Sequence, residues 1–211
     1  MSAGDLRTGP AAIAIRRHRL VAVLRRVTPQ PALLALVDEL ADAGVRVFEI
    51  TLDAPSGAAD LAAVRRHLHD AGIADALVGA GTVLGSETLA AARRAGADFA
   101  VSPVLDAELV REAIADGLPF IPGALTPTEI VAAWAAGATL VKLFPASAVG
   151  PALVRELRGP LPDVPLLPTG GVDASNAAAF LAAGAVAVGV GSAITRADAA
   201  GRRAIVEATR A

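Results

Sequence analysis

The run Ala174-Ser175-Asn176-Ala177-Ala178-Ala179-Phe180-Leu181-Ala182-Ala183-Gly184-Ala185-Val186-Ala187-Val188-Gly189-Val190-Gly191-Ser192-Ala193-Ile194-Thr195 holds no charged residue and is long enough to cross a bilayer. Its texture points elsewhere. Ser175, Asn176, Gly184, Gly189, Gly191 and Ser192 interrupt it, and its character changes midway. An alanine-rich half of helical type ends at Gly184, where a left-handed C-cap is wanted, and a valine-bearing β-type run follows. Helix, glycine stop and short strand describe it better than a membrane helix.

The same unit recurs along the chain. Short apolar strands are expected at 20–24, 45–51, 76–80, 98–101, 118–121, 139–143, 164–167 and 185–190. Helices are expected at 31–43, 57–70, 87–95, 107–115, 127–136, 151–157, 174–183 and 197–209, after a short lead-in helix near 11–19. Gly44, Gly72, Gly96, Gly117, Gly137 and Gly184 stand at helix ends as left-handed caps, and Ser86, Asp106, Thr126 and Asp173 stand where N-caps belong. Regular β–α alternation implies a parallel sheet, and strands apolar on both faces imply helices covering it. The expectation is α/β: one (β/α)8 TIM barrel over residues 1–211 with a short N-terminal helix, a doubly wound open sheet being the alternative.

Composition narrows the function. A formal net charge of −2 gives no electrostatic footprint for nucleic acid or an anionic membrane surface. The chain has no cysteine, hence no disulfide framework, thiolate nucleophile or thiolate metal ligand. Residues 1–10 carry Asp5 and Arg7 and lack the apolar run of a secretory signal, so a cytoplasmic protein is expected. His18 lies in the lead-in helix, and His67 and His69 are two apart on a helix and point to different faces. No metal site is expected.

In Ala138-Thr139-Leu140-Val141-Lys142-Leu143-Phe144-Pro145 a single ammonium is set into an apolar strand, and Lys142 is the only lysine in the chain. An amine can lose its proton and attack a carbonyl carbon, which a guanidinium cannot, and burial favours the neutral form. Such a lysine suits Schiff-base catalysis; the plain alternative is a structural lysine whose stem packs in the core. Glu49 lies in the second strand and by alternation shares a face with Val45, Val47 and Thr51. A carboxylate there is costly unless paired or used, and beside Lys142 it becomes a general acid–base candidate.

Other strand ends supply the remaining candidates, since barrel active sites form there. Arg25 can present a fork to a substrate carboxylate. Gly79-Ala80-Gly81-Thr82 reads as a tight turn bringing Thr82 near a ligand, and Ser102-Pro103 ends the fourth strand. Thr169-Gly170-Gly171 and Gly191-Ser192 follow the seventh and eighth strands, where exposed backbone N–H groups suit a phosphate. A metal-free phosphosugar isomerase or epimerase, and a non-catalytic phosphometabolite-binding barrel, use the same features.

Taken in order, Glu49-Ile50-Thr51-Leu52, Gly79-Ala80-Gly81-Thr82-Val83-Leu84, Val101-Ser102-Pro103, Ile121-Pro122-Gly123, Val141-Lys142-Leu143-Phe144-Pro145-Ala146 and Pro168-Thr169-Gly170-Gly171 resemble the class I aldolases acting on 2-keto-3-deoxy-6-phosphogluconate or its galactonate epimer. The resemblance implies a (β/α)8 homotrimer without metal or organic cofactor, cleaving a phosphorylated keto acid to pyruvate and glyceraldehyde 3-phosphate. It extends to 4-hydroxy-2-oxoglutarate as a further substrate. It makes Lys142 the Schiff-base residue and Glu49 the proton shuttle, sets Thr82 and Thr169 on the pyruvate portion, and puts the phosphate on Gly170-Gly171 and Gly191-Ser192. One position departs from the phosphogluconate pattern: Asp53 stands where that branch carries a carboxylate-binding arginine. Arg25, at the end of strand one, matches the galactonate branch.

Overall fold

The computed structural model describes residues 2–210. Two short helices lead in, α1 (Ala3–Arg7) and α2 (Pro10–His18), followed by β1 (Leu20–Leu24), α3 (Gln30–Asp42), β2 (Val47–Thr51), α4 (Gly57–Asp70) and β3 (Leu77–Gly81). Then come α5 (Ser86–Arg94), β4 (Ala100–Val101), α6 (Ala107–Ala115), β5 (Phe120–Ile121), β6 (Gly123–Ala124), α7 (Pro127–Ala135) and β7 (Val141–Leu143). A single 3-10 turn (Ala146–Ala148) leads into α8 (Gly150–Arg158), β8 (Leu166–Pro168), α9 (Ala177–Ala182), β9 (Val188–Val190), α10 (Ser192–Arg196) and α11 (Ala199–Arg210).

Every strand pairing is parallel. One sheet runs β5-β4-β3-β2-β1-β9 and a second runs β6-β7-β8. The order follows the sequence, and the first strand lies beside the last, so the sheet is curled. The doubly wound alternative, whose order reverses at a switch point, is not what the chain forms. The expected ring of eight strands is seen instead as six strands plus three. Pro122 is one cause: it lacks an N–H for the ladder and separates β5 from β6. Between β8 and β9 the ladder is reduced to an isolated parallel bridge from Thr169 to Gly189, with the Val186 N–H donating to the Leu166 carbonyl just before it.

Alternation along the strands sorts the core into two parts. Val21, Val47, Phe99, Val101, Ile121, Leu140, Leu167 and Ala187 fill the inside of the curl, joined by Ala11, Ala12 and Ile15 of α2. Helix α2 thus plugs the N-terminal end of the strands, which is the task of the lead-in segment. Leu24, Phe48, Ile50, Val141 and Leu143 face outward into the helix layer. Glu49 lies one step from Phe48 and Ile50 and so shares the inner face with Val47, as alternation predicts. Val45 does not share it, because it precedes β2 and packs with the helices.

All six glycines expected as left-handed caps have positive φ, from 73° at Gly72 to 107° at Gly137 and Gly184. Asp106 caps α6 through Glu108 and Leu109, and Thr126 forms a reciprocal capping box with Glu129. Two caps differ. Gly85 is the N-cap of α5, while the Ser86 hydroxyl donates to Glu112. Asp173 stands a turn ahead of α9 and accepts from the backbone and hydroxyl of Ser175, because 173–176 form a turn of their own. The segment expected as a helix over 197–209 is α11, and a further short helix that was not expected, α10, precedes it. No described helix is long and apolar enough to cross a membrane.

Candidate active site

Lys142 and Glu49 meet at the heart of the molecule. Lys142 is the middle residue of β7, flanked by Gly123 on β6 and Leu167 on β8. Glu49 sits in β2 between Val23 and Gly79. Lys142 Nζ lies 3.7 Å from Glu49 Oε1, and both side chains are almost wholly buried, at 5% and 1% exposure. The separation is that of an ion pair and is too long for a direct hydrogen bond. Glu49 Oε1 has no hydrogen-bond partner at all. A buried carboxylate oxygen left in that state is costly in a purely structural pair and is suited to receiving a proton from a ligand. The Phe144 ring centroid lies 5.3 Å from Nζ, within reach of a cation–π contact.

Missing side chains make room for this pair. A Cβ on Gly81 would fall 2.2 Å from Glu49 Oε1, and one on Gly79 would fall 2.3 Å from the Phe99 ring. Gly79 and Gly81 therefore lie inside β3, with the space above them filled by Phe99 and the carboxylate, and the tight turn expected at 79–82 starts only at Thr82. There the backbone enters the left-handed region, with φ 58°. Gly189 likewise yields its Cβ position to Thr169, whose Oγ1 would be 2.3 Å away.

The amine opens into a cavity of about 710 Å³, lined among others by Arg25, Phe144, Thr169, Gly170, Gly171, Gly191, Ser192 and Arg196. Gly170 and Gly171 have φ 90° and 77°. Their turn is fixed through its carbonyls: Gly170 accepts from the Ser147 N–H at 2.9 Å and Gly171 from the Asn176 amide at 2.9 Å. Asp173 also lines the cavity, but its carboxylate is engaged by Ser175, which holds it below the usual carboxylate range.

At the mouth, Arg25 Nη1 donates to Asp53 Oδ2 at 3.2 Å and Nη2 donates to Thr82 Oγ1 at 3.3 Å. Asp53 is therefore the partner of Arg25. Burial pushes the Asp53 carboxyl up, and Thr51, Arg25 and Arg26 together outweigh it, so the group lies below the ordinary carboxylate range. The Thr51 hydroxyl is near enough to contribute without completing a hydrogen bond, since both it and Asp53 Oδ1 are buried and lack a partner.

Of the residues chosen from sequence, Lys142, Arg25, Thr169, Gly170, Gly171, Gly191 and Ser192 share the cavity, with Glu49 against the lysine and Thr82 against the arginine. Ser102 and Pro103 lie outside its lining: Ser102 is buried and its Oγ accepts from the Val104 N–H, while the Pro103 carbonyl packs over Gly123. Phe144 and Arg196 are cavity residues that the sequence reading did not single out. Among the described residues, no group of three or more His, Asp and Glu side chains could hold a metal ion.

The comparisons with known proteins give the family. The family described as KDPG and KHG aldolase matches residues 12–209. The 2-dehydro-3-deoxy-6-phosphogalactonate aldolase of Escherichia coli K12 is 38% identical over 179 residues, covering 84% of this chain and 85% of its own. The 2-dehydro-3-deoxy-phosphogluconate aldolase of Pseudomonas aeruginosa is 39% identical over 174 residues, covering 79% and 74%. A KDPG aldolase from Legionella pneumophila, solved with pyruvate captured at low pH as a covalent carbinolamine intermediate, superposes with a TM-score of 0.79. It is 26% identical, with 95% of this chain and 96% of that one covered. Matched nearly end to end, and carrying a buried lysine–glutamate pair within its parallel strands, the chain belongs to the KDPG and KHG aldolase family of carbon–carbon lyases.

Proposed function

We propose that this chain is a class I aldolase that cleaves 2-keto-3-deoxy-6-phospho-sugar acids to pyruvate and glyceraldehyde 3-phosphate. One observation carries the reading: the only amine side chain in the protein is buried 3.7 Å from a carboxylate oxygen that lacks a hydrogen-bond partner, and it lines an open cavity. Glu49 takes a proton from the Lys142 ammonium, the freed amine adds to C2 of the keto acid, and the carbinolamine loses water as Glu49 passes that proton to the departing hydroxyl. The protonated imine is the electron sink. Glu49 then takes the proton of the C4 hydroxyl, the C3–C4 bond breaks, and its electron pair moves into the imine to give an enamine. Glyceraldehyde 3-phosphate leaves, the enamine is protonated at C3, and water releases pyruvate from Lys142.

Arg25 faces the keto-acid carboxylate as a two-pronged donor. The Thr82 and Thr169 hydroxyls border the pyruvate portion, and the Gly170-Gly171 and Gly191-Ser192 turns take the phosphate through backbone N–H groups. We read the sheet as a closed eight-stranded barrel in one domain, with β5 and β6 as a single strand interrupted at Pro122. We read the assembly as a homotrimer. Leu84, Val104 and Val131, 56%, 52% and 48% exposed, offer apolar surface that such an assembly would cover.

Incubation with pyruvate and borohydride, followed by intact-protein mass, tests the mechanism. Wild type gains one reduced pyruvyl group, and Lys142→Arg gains none. Folded wild-type protein without an adduct would overturn the Schiff-base mechanism.

A further inference from the structure

Arg25 reaches the cavity mouth with 53% of its side chain exposed, and an arginine in that position ordinarily samples many rotamers. Here it is anchored at both terminal nitrogens. Asp53 Oδ2 takes Nη1 at 3.2 Å, and the Thr82 hydroxyl takes Nη2 at 3.3 Å. Each terminal nitrogen spends one hydrogen on the protein and keeps one for a ligand. Asp53 is itself held, because Arg26 Nη2 reaches Asp53 Oδ2 at 3.2 Å and donates to its backbone carbonyl at 3.1 Å. Two guanidinium groups against one carboxylate leave one positive charge in excess, which a substrate carboxylate would complete.

The backbone around this network is unusual. Among the described residues only Arg19, Arg26 and Thr82 are non-glycine residues in the left-handed region, at φ 58°, 51° and 58°. Two of the three belong to the network. Conformations that L-residues avoid persist where the surrounding structure enforces them, and such positions gather at ligand clamps.

Arg25 also has a second place to go. With Val23, Gly191, Ser192, Thr195 and Arg196 it lines a recess of about 380 Å³ beside the Gly191-Ser192 turn. Asp53 and Thr82 pull it the other way, toward the ends of β2 and β3, on the opposite side of β1 from β9. We infer that Asp53 is a positioning residue, which fixes Arg25 as the fork that reads the keto-acid carboxylate and keeps it out of the recess beside Ser192 and Arg196. The inference rests on the aldolase reading above.

Borohydride trapping as a function of pyruvate concentration tests it in wild type, Asp53→Asn, Arg25→Met and the double variant, with thermal melting to show that each is folded. Asp53→Asn raises the pyruvate concentration for half-trapping about ten-fold, equivalent to about 1.4 kcal/mol, and leaves the plateau unchanged. In the Arg25→Met background the same substitution adds nothing. Methyl pyruvate, which has no carboxylate to read, half-saturates alike in all four proteins. Asp53→Ser, smaller and neutral, shows the same loss should the asparagine variant prove unstable. An unchanged half-saturation in folded Asp53→Asn overturns the inference, as does a shift of equal size without Arg25 or with methyl pyruvate. In either case, trapping on the wild type leaves the aldolase reading standing. An untrapped wild type overturns that reading and the inference with it.

Discussion

Substituting Gly81 by alanine isolates the crowded contact that seats the Glu49 carboxylate, the proton shuttle of the proposed mechanism. The added Cβ would sit 2.2 Å from Glu49 Oε1, 2.7 Å from its Cγ and 2.8 Å from its Cδ. Gly81 is in ordinary strand conformation within β3, so alanine is allowed by the backbone and the whole penalty falls on Glu49. Moving the nearest contact from 2.2 Å to the 3.4 Å where ordinary van der Waals contact begins requires a retreat of about 1.2 Å. Glu49 is 1% exposed and cannot make that retreat into solvent. Overpacking of this kind costs ~1–3 kcal/mol. In a protein of this size that is a fall in Tm of roughly 2–12 °C.

The kinetic effect is larger than the thermodynamic one. A reacting group displaced by about 1 Å loses on the order of 10²-fold in rate. Cleavage of the phosphorylated keto acid, followed by coupled reduction of released pyruvate, therefore falls about that much in kcat, while the pyruvyl adduct on Lys142 still forms. Gly79→Ala serves as the contrast: its Cβ would fall 2.3 Å from the Phe99 ring, which supplies all three of its nearest atoms. That variant loses stability, and whatever remains folded turns over normally. Folded Gly81→Ala protein with wild-type kcat would refute the claim that glycine is there to seat Glu49.

Two further outcomes follow from groups around the site and beneath it. Arg196→Ala raises KM for the phosphorylated substrate about ten-fold, the scale of one charge-assisted contact, and leaves half-trapping by pyruvate alone unchanged; equal effects on both would place Arg196 elsewhere in recognition. His18, on α2, is held below its ordinary 6.5 by burial first, with Asp75 opposing and Arg17 and Arg46 adding to the shift. The unfolded chain then binds a proton that the folded chain does not, so stability falls as pH drops below about 6.5. Urea midpoints measured from pH 8 to 5 should decline less steeply in His18→Gln, and an identical slope in both proteins would remove His18 from the account.

The two residues of the buried ion pair could be picked out because each is chemically out of place. A lone lysine and a carboxylate in apolar strands carry their own signal, and period-2 alternation turns both inward. The helix ends were legible for a similar reason, since a positive φ selects glycine over almost anything else. What stayed hidden was direction beyond the ends of the strands. Ser102 follows β4 as Thr82 follows β3, and only the folded chain shows that the first hydroxyl turns back onto Val104 while the second meets Arg25. Arg196 was missed because the five residues of α10 are too few for a helical period to register, and the final helix was begun one residue after it. Gly79 and Gly81 have the composition of a turn, yet the atoms that exclude a Cβ there come from residues 20 and 32 positions away, Phe99 and Glu49 respectively.

Asp53 shows how a residue that weakens an argument in one dimension can strengthen it in three. Read along the chain, a carboxylate where the phosphogluconate branch uses an arginine removes a substrate contact. In the fold the carboxylate faces Arg25 across the mouth of the cavity, so the positive charge comes from β1 and its orientation from the segment after β2. Charge and position can be divided in this way because β1 and β2 are adjacent parallel strands whose C-terminal ends open on the same side. Any residue just past one strand can then support a side chain from the other. A sequence motif that assigns the carboxylate reader to a single position therefore asks too much of that position. On the proposed reading, the chemistry requires a fixed guanidinium facing the carboxylate next to the carbonyl that Lys142 attacks, and two neighbouring strand ends can supply it together.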